Sequence, residues 1–428
     1  MRNHPYHTPL ELLGLGPETQ ACEKCADPFS TAPERILSAF DRAGMSLYLL
    51  ETLESRGQLD LLPISVQERL RHNLRDNIER GKRILEESLR INSLLLAESV
   101  RYLNLKGLSL SPDFVTDLRY RVQYDHDFLV HPDDMSRAYQ LVQSLGYVPL
   151  RKAEKVTTDH LPTLVKSTGW TWKNNLYDPA IPAAVELHFQ LWDSDFDRIP
   201  IESLARVWEQ SILVRIQGID FPVLSRELAL LYHTLHALRH LLRNDLRLSH
   251  LYEIARFLNH FVNQNQFWEQ FASNLETCPK SREGVAAVFA LSKELFHGGS
   301  NRRLLQWIER ELTDAAACWI HCYGRGEALD CYRKSKSGLL LHLSMVGDLP
   351  SRLYLIRRRL FPLQLPSPAE GRAPQADRHR LRSMISRRAK YFALVSERCV
   401  FHAGSVLRFL LGYPRWLVQL YFWRRPSI

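Results

Sequence analysis

Cysteine is scarce in this sequence. Seven residues among 428 are too few and too widely spread for a disulfide framework, and the odd count leaves at least one thiol unpaired. Cys22-x-x-Cys25 has the opening spacing of a zinc site. Cys318 and Cys322, however, lie far off with a different spacing, so reduced core or surface cysteines are the better reading. Long apolar runs are missing too: no stretch of about 18 uncharged apolar residues occurs, and a membrane-spanning helix is not expected. The opening MRNHPYHTPLELLG has neither the apolar core nor the cleavage site of a signal peptide. These absences together predict a cytoplasmic protein. There is no fixed-period repeat.

Acidic residues are rare in one region. From Arg352 to the end there are 16 Lys+Arg against 3 Asp+Glu, while the residues upstream carry 40 against 44. The formal charge of +9 therefore belongs to the C-terminus. What is plentiful is apolar side chain: at 45% apolar, the chain can bury a large core, and its length suggests two or three domains.

Four regions follow from pattern. Residues 1–100 read as a helical N-terminal region, where Ile84, Leu85, Leu89, Ile91, Leu94, Leu95 and Leu96 recur near the helical period between Arg and Glu. Residues 101–192 read as a small α/β unit. It opens with a short strand at Tyr102 that glycine stops at Gly107, and a strand carrying Asp125 and Asp127 comes next. An amphipathic helix after Pro132 with a stop at Gly146 follows, and then strands at Tyr147–Leu150, Gly169–Tyr177 and Ala183–Leu191. Residues 193–361 are predominantly helical. Pro362, Pro366, Pro368, Gly371 and Pro374 mark a linker, and the rest of 362–428 is a basic, aromatic-rich amphipathic segment.

The chemistry concentrates in LRYRVQYDHDFLV, Leu118 to Val130. In a strand, residues two apart share a face, so Arg121, Asp125 and Asp127 project to one side while Val122, Tyr124, His126 and Phe128 take the other. Two carboxylates a strand-step apart can hold a divalent cation, and a pair of such cations can bridge triphosphate and attacking oxygen. Glu186 is the candidate third acid, because a charge in the middle of an otherwise apolar strand is costly without a function or a partner. Lys106-Gly107 suits a phosphate: glycine lets the main chain approach closely, and lysine supplies a point charge. Arg121 either binds phosphate or orients Asp125. His126, facing the other way, is expected to be a core histidine. His233, His236 and His240 share a helix face with Arg239 and Arg243 beside them, which suits a packed helix face or contact with substrate.

In this order, Leu105-Lys106-Gly107, Arg121-x-x-x-Asp125-x-Asp127-x-Leu129-Val130, a helix ending in Gly146-Tyr147, and Glu186-Leu187-His188, the sequence resembles the uncharacterised bacterial nucleotidyltransferases of the DNA polymerase β superfamily. These are relatives of the abortive-infection toxin transferases. The likeness covers roughly residues 35 to 260. The chain departs from the pattern in His126, which replaces an aliphatic residue, and in lacking a glycine before the first strand.

The resemblance implies an α+β fold: a minimal polymerase β-like mixed sheet flanked by helices, with helical N-terminal and C-terminal regions. It implies a metal-dependent nucleotidyltransferase in which Asp125, Asp127 and Glu186 are catalytic and hold Mg²⁺ or Mn²⁺, while Lys106, Gly107 and Arg121 bind the nucleotide. The donor would be an NTP and the acceptor a small molecule, glycan, peptide or RNA. Two alternatives compete: a catalytically silent binding module on the same fold, and a metal-dependent glycosyltransferase, against which the helical first hundred residues argue. For the C-terminal segment, arginines interleaved with Phe409, Leu410, Trp416, Leu417, Tyr421, Phe422 and Trp423 suggest a peripheral partner, the anionic inner face of a membrane, with docking on the acidic remainder of the chain as the alternative.

Overall fold

The structure, a computed structural model, describes residues 7–15, 23–150, 159–201, 207–298, 301–329, 336–361 and 380–423. The expected N-terminal helices are present. Pro33–Ala43 opens on proline and closes at Gly44, whose φ of +73° places it in the left-handed region. Ser46–Ser55 follows, and then the 34-residue helix Ile64–Ala97. The buried stripe of that long helix is only partly apolar, since Asn73, Asn77, Arg80, Ser88 and Asn92 interrupt Val66, Leu70, Ile84, Ile91 and Leu95. The polar members have definite work. Asn77 donates to the carbonyls of Arg119 and Arg121 at 2.8 and 3.0 Å, and Arg80 donates to the Leu176 carbonyl at 3.1 Å while stacking on the Tyr124 ring. The chain entering the aspartate strand is thereby held by side chains, where the sequence pattern suggested a strand ladder.

Seven strands form one mixed sheet: β1 Tyr102–Asn104, β2 Asp125–Val130, β3 Tyr147–Pro149, β4 Leu164–Lys166, β5 Ala184–His188, β6 Ser211–Ile216 and β7 Ile219–Leu224. Their order is β3-β4-β5-β2-β1-β7-β6. β2 is central, antiparallel to β1 and parallel to β5. One face packs Phe128, Val185 and Leu187 against Ile91, Leu95 and Val142 of the flanking helices. The opposite face, with Leu103, Leu105 and Leu129, joins the larger core under the helices Arg226–Arg243 and Leu248–Phe261.

Two expectations about strands need correction. Gly169–Tyr177 is not a strand: its polar side chains satisfy the local backbone instead, as Asn175 Oδ1 accepts from Tyr177 N and Asp178 Oδ1 from Ala180 N. The place beside β5 goes to Leu164–Lys166. The sheet also continues past residue 192 through the β6–β7 hairpin, turned at Gln217-Gly218 with both residues at positive φ. The linker prolines and Cys22 lie outside the described residues. No helix among the described residues is long and apolar enough to cross a membrane.

N-terminal helices, sheet and helical layer meet at Glu253. Its carboxylate accepts from Tyr48 Oη at 2.7 Å and Arg121 Nε at 3.0 Å, and lies 3.1 Å from His233 Nε2. Burial alone would raise its pKa, but Arg121 and His233 outweigh burial and hold it at about 2. A carboxylate depressed in the folded state adds stability above its unfolded pKa and loses it as pH falls toward the folded value. Glu253→Gln should therefore lower stability by about 3 kcal/mol at neutral pH, because it leaves Arg121 buried and uncompensated. Urea midpoints at stepped pH should converge for the two proteins as pH falls from about 4.5 to about 2. A constant gap across that window would show that the ion pair is not the source.

Candidate active site

The site is assembled by strand register. In the parallel β2–β5 pair, Asp125 lies opposite Ala184, Asp127 opposite Glu186 and Leu129 opposite His188. Because alternate residues share a face, Asp125 and Asp127 on one strand and Glu186 and His188 on the other all project from the same side. Their neighbours His126, Phe128, Val185 and Leu187 are buried on the other side. Ligand atoms of Asp127, Glu186 and His188 lie within 4.8 Å of one another.

A chain of alternating charges runs through this face. Lys106 Nζ is 3.2 Å from Asp127 Oδ2, and Asp127 Oδ1 accepts from His188 Nε2 at 3.2 Å. His188 Nδ1 reaches Asp159 Oδ2 at 3.2 Å, and Arg239 Nη1 donates to the same oxygen at 2.5 Å. All five side chains are largely shielded from solvent. Burial pulls the Lys106 ammonium down, but Asp127 and its neighbours hold it well above its ordinary range. Burial likewise disfavours ionised Asp127 and Asp159, and their cationic partners hold both well below the carboxylate range. His188, flanked by both acids, is pushed up to about 9 against its own desolvation. It sits between the two acids as their counter-ion, and with Asp127 and Glu186 it also forms a group close enough together to hold a metal ion.

Asp125 and Glu186 stand apart from this compensated chain. Burial and the neighbouring Asp127 charge push the Asp125 carboxyl up to about 6. Glu186 is half-buried, accepts from Thr163 Oγ1 at 3.0 Å, and has His160 and His188 nitrogens at 3.8 Å. Asp127 Oδ2 is buried and ion-paired with Lys106 Nζ at 3.2 Å. The carboxylates of Asp125, Asp127 and Glu186 on this one face are a hard-oxygen donor set that fits a divalent cation such as Mg²⁺ or Mn²⁺.

The remaining sequence candidates divide. Gly107 is favoured by its φ of +75°, and the Gln123 amide packs against it where a Cβ would stand, at 2.5 Å. Gln123 in turn donates to the Asp125 carbonyl at 2.7 Å, so the Lys106-Gly107 turn and the start of β2 are tied together. Arg121 lies before the strand proper, and its guanidinium is engaged by Glu253. His126 is a buried core histidine. Desolvation lowers its pKa to about 4, and its Nε2 has no hydrogen-bond partner among the described residues.

Helix Arg226–Arg243 brings further groups that the sequence only hinted at. His233 faces Glu253, whereas His236 Nε2 lies 3.5 Å from Lys106 Nζ and 3.1 Å from His240 Nε2. His250, from the next helix, contacts all three rings. Desolvation, reinforced by Lys106 and His240, keeps His236 and His250 well below the ordinary range. Neutral imidazoles packed around an ammonium give a cationic flank to the carboxylate face. Asp159 and Arg239 were missed as site residues. Asp159 sits in a loop without periodicity, and no spacing links it to His188. Two cavities of about 460 and 470 Å³, lined by Trp192 and Trp208 and by Trp268 and Trp307, do not include the carboxylates of this face.

Comparison with known proteins agrees with this geometry. The family model described as an uncharacterised nucleotidyltransferase matches residues 30–297, which span the N-terminal helices, the sheet and both histidine-bearing helices. No curated protein and no solved structure matches the chain. A model that covers more than half of the sequence and contains every residue of the charge chain settles the family: this chain belongs to the uncharacterised nucleotidyltransferases.

Proposed function

We propose that the chain transfers a nucleoside monophosphate from an NTP to an acceptor hydroxyl or phosphate with release of pyrophosphate, using Asp125, Asp127 and Glu186 as its metal-holding carboxylates. The observation that carries this reading is the β2–β5 register, which sets Asp127 opposite Glu186 with Asp125 one strand-step earlier on the same face. Mg²⁺ or Mn²⁺ held there would neutralise the triphosphate and the attacking oxygen in a two-metal displacement. The protein's own groups supply the rest. Lys106 presents a fixed ammonium to phosphate, and Gly107, at a φ of +75°, makes the turn that places it. Arg121 contributes through its field from its seat on Glu253. The neutral imidazoles of His236 and His250 offer nitrogens without adding to the repulsion around Lys106. A small molecule, glycan, peptide or RNA remains the acceptor class, to be identified by labelled NTP in a cell extract.

Isothermal titration of the four NTPs should show binding that requires Mg²⁺ or Mn²⁺ and falls at least about tenfold in Asp125→Asn/Asp127→Asn, since Asn keeps the size but loses the anionic ligand. Equal, metal-independent affinity in both proteins would overturn the reading. Metal-dependent binding with no label transferred to any component of the extract would identify a silent module instead.

The single variants should separate in sign. Two like charges side by side suggest that removing them stabilises the protein when no metal is bound. This holds for Asp125, whose raised pKa means that its ionised form is disfavoured in the fold: Asp125→Asn should gain on the order of 1 kcal/mol at neutral pH. Asp127 differs, because Lys106 and His188 depend on it, and Asp127→Asn should lose about 3 kcal/mol. Metal-free thermal melts check both; shifts of the same sign would show that the two carboxylates share one environment.

A further inference from the structure

Helix Arg380–Tyr421 has two apolar faces, of which its own fold uses one. Ser405, Phe409 and Trp416 are buried against the helical body. Tyr323 Oη donates to Gln419 Oε1 at 2.7 Å, and the Trp416 and Trp423 rings meet Tyr323 and His321. On the far side, Val400, Leu407, Leu411 and Val418 are 73, 58, 70 and 57% exposed. Spaced by seven, four and seven residues, they fall on one stripe of the helix. Phe422, four residues further on, is 71% exposed and continues it. Single exposed leucines are ordinary, whereas a continuous apolar stripe roughly 33 Å long at 1.5 Å per residue is not.

Charge identifies what covers it. From Arg398 to the end the sequence has no Asp or Glu, and exposed Arg408 and Arg415 flank the stripe without an ion pair among the described residues. A second copy of the chain laid on this face by a two-fold axis would bring the same arginines together with no acid in the segment to neutralise them. Anionic lipid headgroups would neutralise them while the stripe sits at the acyl boundary, and Tyr421 and Phe422 suit the interfacial depth. The helix cannot cross, since no helix among the described residues is long and apolar enough. We propose that the outward stripe Val400-Leu407-Leu411-Val418-Phe422 lies in the plane of an anionic bilayer surface and holds the protein there as a peripheral enzyme. The proposal is independent of the reaction assigned to the site.

Co-sedimentation of the full chain with vesicles tests it, using equimolar phosphatidylcholine and phosphatidylglycerol against phosphatidylcholine alone. Wild type should pellet with the anionic vesicles and at least about tenfold less with the neutral ones. Leu407→Asn/Leu411→Asn/Val418→Asn should lose more than about a hundredfold in partition, and Arg408→Gln/Arg415→Gln about thirtyfold. All five positions are on the surface, so both variants should melt with wild type. Unchanged binding of the triple variant to anionic vesicles would overturn the proposal in favour of adhesion by the basic tail alone. Wild type that ignores vesicles but sediments as a dimer, with the triple variant monomeric, would overturn it in favour of a second copy.

Discussion

The buried chain Lys106–Asp127–His188–Asp159–Arg239 is what the rest of the site depends on. Each inner member has an opposite charge on either side, so the desolvation that would neutralise any one of them alone is offset by two neighbours. It also fastens five separate pieces of the chain: the turn after β1, the central strand β2, the loop before β4, strand β5, and the helix Arg226–Arg243. No apolar contact could fix the carboxylate face with comparable directionality. The same face therefore contains one fully compensated aspartate and two acids, Asp125 and Glu186, that are left with surplus negative charge.

That division is invisible from the Asp-x-Asp motif, which treats both aspartates alike. Strand period alone placed Asp125 and Asp127 together, and the one acid in the Ala183–Leu191 run pointed to Glu186, because a charge in an apolar strand needs a reason. That Asp127 is paired through both oxygens depends on Lys106 and His188, and only the folded register brings those two to the same carboxylate. Asp159 and Glu253 were illegible for a related reason: each acts through contacts far away in sequence, and neither lies in a periodic pattern. Arg121 shows the opposite failure. Its spacing from Asp125 is right for a shared strand face, but the strand begins four residues later, and Asn77 of the long helix holds the Arg119 and Arg121 carbonyls.

At the level of fold, the strongly periodic elements were legible and the short ones were not. Ile64–Ala97 and Met135–Ser144 follow from their apolar spacing, and Gly146 stops the latter at a φ of +88°. Three-residue β4 carries too few side chains to show a period, and Gly169–Tyr177 has strand-like aromatics whose backbone is claimed by Asn and Asp side chains.

The parallel pairing of β2 with β5 has a further consequence. A slip of β2 by one residue would carry Asp125 and Asp127 into the layer that holds Ile91, Leu95 and Val142, and would turn His126 and Phe128 toward Lys106 and His188. Two carboxylates would then be dehydrated without partners, and two cations stranded. Such a penalty far exceeds anything that misaligned apolar residues would impose. The charged face thus acts as a proofreader of the sheet: its charges oppose any alignment that would turn one of these two strands over.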